Sequence, residues 1–226
     1  MTAPDRRPED GHDHDLDDEQ VAPGAPVARP GQRRRGLGLA REIVQTLALT
    51  LIIFFVIQTF IAQPFKVEQE SMRRTLEPGD YVLVDRLTPR WDAYDRGDIV
   101  VFKPPESWFA RDDTPFIKRV VGVAGDDVEI RDDGRLYVNQ VPLDEPYVYQ
   151  VDGQAQPTTS DETRWRVPDG EVFVVGDHRS NSQDSRVYGP IPVTAIVGRA
   201  WVRYWPFDAF GVLATPTYPA LTGGAP

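Results

Sequence analysis

The chain has 226 residues, enough for one ordinary domain with further segments at its ends. Its net charge of −10 and pI near 4.8 exclude the basic footprint expected of a nucleic-acid binder. Cysteine is absent, which rules out a disulfide framework and thiolate catalysis.

Residues 1–32 hold Asp, Glu, Pro and Gly with almost no large apolar side chains. Such a segment buries too little surface to offset its ordering entropy and is expected to be a disordered acidic tail. It contains His12 and His14, so His178 is the one histidine left to a folded domain. A multi-histidine zinc site is therefore excluded there, and a Ser-His-Asp triad would have to use His178.

Arg33, Arg34, Arg35 and Arg41 precede Ile43–Ala62, a run without a charged residue. At 1.5 Å per residue it spans about 30 Å, one hydrocarbon core. Residues 33–62 thus read as a basic flank and a single membrane anchor. The arginines place the N-terminus in the cytoplasm and the remainder outside. The long acidic stretch before the run argues against a cleaved secretory signal.

Beyond Gln63 the pattern changes to short β-branched runs punctuated by Gly, Pro and Asp. Strands are predicted at 81–84, 98–102, 117–123, 127–130, 136–138, 171–175 and 196–202. Turns are predicted at Pro78-Gly79-Asp80, Arg96-Gly97-Asp98, Gly125-Asp126 and Asp132-Asp133-Gly134-Arg135. A mostly β domain over 63–210 follows, with 150–164 as a surface loop and 211–226 as a flexible tail. Nine of the 35 acids and seven of the 25 bases precede Gln63, so this outer part remains acidic. Its contact with membrane lipid must come from the anchor and from apolar surface.

A serine is a weak nucleophile unless a neighbour takes its proton, and besides His178 the candidates are carboxylates and three lysines. Lys66 and Lys103 stand at ordinary exposed places. Lys118 lies inside Phe116-Ile117-Lys118-Arg119-Val120-Val121, where alternation puts it on one face with Phe116 and Val120. Two readings are open there: a desolvated lysine of lowered pKa, or an edge lysine snorkelling to water.

Three segments then occur in order behind one apolar run: Glu70-Ser71-Met72-Arg73-Arg74-Thr75-Leu76, Phe116 to Gly122, and Gly176 to Arg186. Together they resemble the bacterial type I signal peptidase family over roughly Arg41 to Phe210. The resemblance implies a signal-peptidase-like β-fold, no cofactor, no metal, and a Ser/Lys dyad of nucleophile Ser71 and general base Lys118. It implies that Ser182 hydrogen-bonds the lysine amine and that Asp184, with Arg119 or Arg186, braces the loop, helped by Asp177. The oxyanion donors would be the Ser71 N–H and the Gln69 side chain. Substrate would lie against Phe65, Val67, Phe116 and Ile117, and the partners would be signal-peptide-bearing preproteins. Departures from the family pattern are Glu68-Gln69-Glu70 where Pro-Ser-Gly is usual, Arg74 for a proline and His178 for an asparagine. Two other readings stand beside this one. A self-cleaving repressor would need a DNA-binding domain instead of an anchor, and a non-catalytic anchored module would leave preproteins uncut.

Overall fold

The computed structural model describes residues 32–56, 62–87, 93–108 and 114–222. The expected disordered tail lies outside these residues except for Gln32, which already belongs to helix α1, Gln32–Val56. Proline is absent from α1, and its Leu, Ala and Ile residues are good to fair helix formers. Within it, Gly38–Val56 has a mean hydropathy of 1.9 and none of it is buried. Its 19 residues are about 28 Å long, enough to cross a bilayer core. Ala62, the expected end of the anchor, does not belong to the helix. Residues 57–61 lie outside the described set, and Ala62 opens a strand, consistent with Pro64, which no helix interior tolerates.

The strands are β1 (Ala62–Lys66), β2 (Tyr81–Asp85), β3 (Ile99–Phe102), β4 (Phe116–Val123), β5 (Asp127–Ile130), β6 (Leu136–Val138) and β7 (Val141–Pro142). They continue as β8 (Gln150–Val151), β9 (Gln154–Ala155), β10 (Arg164–Arg166), β11 (Glu171–Val175), β12 (Ile191–Pro192), β13 (Ile196–Trp205) and β14 (Gly211–Val212). The fold is mostly β, as predicted. The main sheet runs β1-β2-β13-β3-β4-β11-β12, with β14 added to β13, and a second sheet runs β10-β5-β6-β7.

Strand β4 is the centre of this arrangement. Residues 117–122 are buried without interruption, because both faces of the strand are covered. Ile117 joins one apolar cluster with Val67, Met72, Leu76 and Val82. Val120 joins a second with Phe102, Trp108 and Ile191, and Val121 a third with Val128, Leu136 and Phe173. Each such side chain contributes about 1.5–3 kcal/mol on burial. A charged residue in this strand therefore sits where water is excluded.

Two expectations are corrected. The segment 150–164 holds a hairpin, β8–β9, turned by Asp152 (φ 53°) and Gly153 (φ 77°). Both central residues of that tight turn have positive φ, which Asp-Gly tolerates, so polar composition hid a strand pair. The segment after Phe210 is packed rather than frayed. β14 pairs with β13, Leu213 joins the Met72 cluster, and Tyr218 is buried with its hydroxyl 2.9 Å from Tyr147 Oη. Pro216 covers Gly97 (φ 97°) so closely that a Cβ there would lie 2.7 Å from the Pro216 carbonyl oxygen. Leu213 and Tyr218 find cover although Val212 does not, and extended chain accommodates proline well. Residues 223–226 lie outside the described set.

Candidate active site

The chain leaves β1 through Val67, whose N–H donates to Asp80 O and whose carbonyl accepts from Gly79 N–H, each at 2.8 Å. The predicted turn at 78–80 thus holds the end of β1 in place. A single 3₁₀ turn, Glu70–Met72, follows, with Met72 fully buried as its apolar peg and Ser71 4% exposed. Arg74, beyond it, has φ 82°, a value closed to proline, so this stretch differs from a chain with proline there.

β4 delivers Lys118 to the same place. Its Nζ lies 2.7 Å from Ser71 Oγ and 3.1 Å from Ile117 O, and 5.1 Å from the Phe116 ring centre. Burial pushes the ammonium down from 10.5 to about 8. Asp184 opposes that shift, Arg186 adds to it, and Asp177 opposes it. The alternative left open by alternation alone, an edge lysine reaching water, does not hold, since Lys118 is 1% exposed. A lysine neutral near pH 8 and in contact with a hydroxyl is able to take that hydroxyl's proton.

Around the pair stands a frame of buried ion pairs. Arg119 donates to both oxygens of Asp177 at 3.0 and 2.8 Å and to Gly97 O at 2.8 Å. Asp177 also accepts from Thr75 Oγ1, which ties the segment after Ser71 to the loop after β11. Asp184 accepts from Arg186 at 2.8 Å through each oxygen and from Gly176 N–H at 2.9 Å. It also caps the short helix α2, Ser185–Tyr188. Burial alone would raise its pKa, but Arg186 and the Gly176 N–H hold it below the ordinary carboxylate value. The partner of Asp184 is thus Arg186, and Arg119 serves Asp177.

Ser182 does not hydrogen-bond Lys118. Its Oγ is buried and makes no bond to the lysine; it stands beside the Asp184 carboxylate, whose charged form it favours. It rests against Gly176, where a methyl group would collide with Ser182 Oγ and with the Ser71 carbonyl oxygen. The lysine's amine bonds Ser71 Oγ and Ile117 O instead.

Residue-by-residue reasoning missed some of the support. The His178 N–H donates to Ser71 O at 2.9 Å, its Nδ1 lies 3.3 Å from Glu70 O, and Tyr149 packs on its ring at 4.4 Å. Asn181 Nδ2 donates to Glu70 Oε2 at 3.1 Å. The one sequence signal for these contacts was the density of polar residues after Gly176. His178 does not touch Ser71 Oγ, so it holds the turn by its backbone and no triad forms.

A groove runs along the open edge of β1 toward β4. Residues of β4 pair with β11 from Arg119 onward, while Phe116–Lys118 pair with β3 on one side. Val67 and Asp80 form a hydrogen-bonded pair, so by strand parity Lys66 and Glu68 aim their backbone groups at the open edge. A cavity of about 260 Å³ between the two edges is lined by Phe65, Gln69, Thr114, Pro115 and Ile117 among others. Of the four residues expected to meet substrate, Phe65 and Ile117 line this cavity. Val67 and Phe116 are not among the lining residues: Val67 is fully buried with both backbone groups used, and Phe116 packs with Phe102 and Trp108. Gln69 is the N-cap of the 3₁₀ turn but makes no capping bond, which leaves its amide available to the groove.

Comparison with known proteins gives the family. The family described as "Signal peptidase, peptidase S26" matches residues 40–205. A signal peptidase I of Leptolyngbya laminosa is 33% identical over 205 residues, 88% of this chain and 96% of its own. A signal peptidase IB of Staphylococcus aureus (strain N315) is 34% identical over 182 residues, 75% of this chain and 91% of that protein. A crystal structure of a signal peptidase I from Enterococcus faecalis V583 matches at 34% identity and a TM-score of 0.37, covering 48% of this chain and 97% of that one. On the sequence matches, spanning most of both partners, this chain belongs to the signal peptidase family, peptidase S26.

Proposed function

We propose that this protein is a membrane-anchored serine endopeptidase that removes signal peptides from exported preproteins, with Ser71 as nucleophile and Lys118 as general base. The observation that carries the reading is the 2.7 Å contact between the buried Lys118 Nζ and Ser71 Oγ. Neutral Lys118 takes the Ser71 proton as Oγ attacks the scissile carbonyl. The resulting ammonium then protonates the departing amine, leaving an acyl-enzyme. Water attacks the ester, giving its proton to Lys118, and Ser71 is released with its hydroxyl restored.

The developing oxyanion needs donors fixed before reaction. The Ser71 N–H lies in the first turn of a 3₁₀ helix, where N–H groups lack an intrahelical acceptor. The Gln69 amide, free of a capping bond, is the second donor. Asp184–Arg186 and Asp177–Arg119 hold the loop and strand that bring the pair together.

Substrate adds as a strand between β1 and the first half of β4, so main-chain bonds give affinity and alternate side chains give specificity. Gly38–Val56 is the single anchor, with the arginines at 33–35 on the cytoplasmic side and the β domain outside. Anchoring raises the effective concentration of a substrate cut at the bilayer surface.

The test uses the full chain in detergent with a purified preprotein. Cleavage at the end of the signal peptide is expected for the unaltered protein and its loss for Ser71→Ala. Equal cleavage by Ser71→Ala would remove Ser71 from the chemistry.

A further inference from the structure

A second cavity, of about 310 Å³, continues the groove away from Ser71. It shares Phe65 and Pro115 with the first cavity, and its wall includes Gln63, Arg86, Lys103 and Val197. Two cations and no carboxylate line it, on a domain that is acidic as a whole. Lys103 stands just after β3, is exposed, and its ammonium has no hydrogen-bond or ion-pair partner among the described residues. The first cavity differs in carrying both signs, Lys66 and Glu68.

On the proteolytic reading a bound chain has its cut bond at Ser71 and lies beside β1, and it runs in the same sense as that strand, which leads from Ala62 toward Ser71. Extended chain advances about 3.3 Å per residue in both strands. Phe65 and Gln63 precede Ser71 by six and eight residues, so the second cavity meets substrate side chains about five to seven residues before the cut.

We infer that this cavity is a specificity subsite for an acidic side chain of the preprotein, recognised by Lys103 and flanked by Arg86. The inference rests on the proteolytic reading above. A lipid phosphate would suit the same cations, but the cavity opens into the groove that leads to Ser71, which favours the peptide.

Two synthetic peptides spanning a preprotein cut site, with alanine at the first and third positions before it, test the inference. They differ by Glu or Lys at the sixth position before the cut, and both are assayed with the full chain in detergent. The Glu peptide is expected to have a kcat/KM about two- to five-fold higher, the range of a partly exposed ion pair. The difference should lie in KM, since the contact is remote from the reacting bond, and shrink in high salt. Lys103→Glu should reverse the preference and Lys103→Gln should erase it, with melting temperatures unchanged. A preference untouched by Lys103→Glu would overturn the subsite. So would a change confined to binding of phosphatidylglycerol vesicles, which would assign Lys103 to lipid. Cleavage of neither peptide by the unaltered protein would sink the proteolytic reading and this inference with it.

Discussion

Lys118 and Arg119 are neighbours on β4, each 1% exposed, and the protein treats them in opposite ways. Arg119 is supplied with a bidentate carboxylate, a carbonyl and the face of Tyr147 at 4.0 Å. Burial works against its charge, yet Asp177 outweighs burial and holds the guanidinium above its ordinary value. Lys118 is supplied with a hydroxyl, a carbonyl and the Phe116 ring, and burial prevails. Burial penalises both charges, and a contacting carboxylate offsets that penalty for Arg119 while none touches Lys118. One residue is thus a paired brace, and the other has the lowered pKa that the proposed base needs.

The sharpest way to break this contrast is to give Lys118 the chemistry of its neighbour. Lys118→Arg, like Lys118→Ala, is expected to lower kcat by ~10⁴-fold or more, because a guanidinium does not release its proton in the accessible range. Preprotein cleavage measures it, and appreciable turnover by the arginine variant would show that no proton passes through this position. Next in size is the brace. Asp177→Ala leaves Arg119 buried without its carboxylate and should cost about 3–5 kcal/mol in denaturant unfolding. A loss below about 1 kcal/mol would mean that Gly97 O and Tyr147 suffice.

The pH dependence separates the two residues further. Activity should rise with pH through about 8, as the Lys118 amine loses its proton. In stability the sign is reversed from that of a paired lysine. Its folded value lies below the unfolded one, so between pH 8 and 10.5 the unfolded chain binds more protons and stability from this group climbs. At or below pH 8 the whole penalty is present, roughly 3 kcal/mol. Lys118→Met should therefore stabilise the protein at pH 7 by up to that amount, with the advantage fading toward pH 10.5. A destabilised methionine variant at pH 7 would contradict the assignment of a strained base. The smallest effect is expected at Ser182, whose hydroxyl makes no bond to Lys118. Ser182→Ala should change stability by less than about 1 kcal/mol and kcat by less than tenfold. A larger fall in kcat would mean that the hydroxyl turns to Nζ during the reaction.

Much of this was legible in the chain, for identifiable reasons. The β-branched runs of β2, β3, β4 and β11 point to strands, and a lone lysine within the apolar stretch of β4 marks itself out. The resemblance, not periodicity, paired it with Ser71. What escaped was set by contacts distant in sequence. β1 contains Pro64 and two polar residues, and it is a strand because β2 pairs with it. The choice between Arg119 and Arg186 for Asp184 depends on register, since β4 and β11 place Arg119 beside Val175 and hence near Asp177. The tail after Phe210 reads as proline-rich chain, and its order comes from Tyr218 and Leu213 finding cover in two different clusters.

The open edge of β1 has a consequence beyond substrate. Unpaired N–H and C=O groups along a strand will accept any extended chain, including the same edge on another copy of the protein. By the parity set at Val67 and Asp80, Pro64 faces that edge with no N–H to offer, and Lys66 beside it is charged and exposed. Both are features that deter edge-to-edge association. The strand is thus guarded around Pro64 and Lys66 and open toward Ser71, so strand-wise self-association is hindered along this edge.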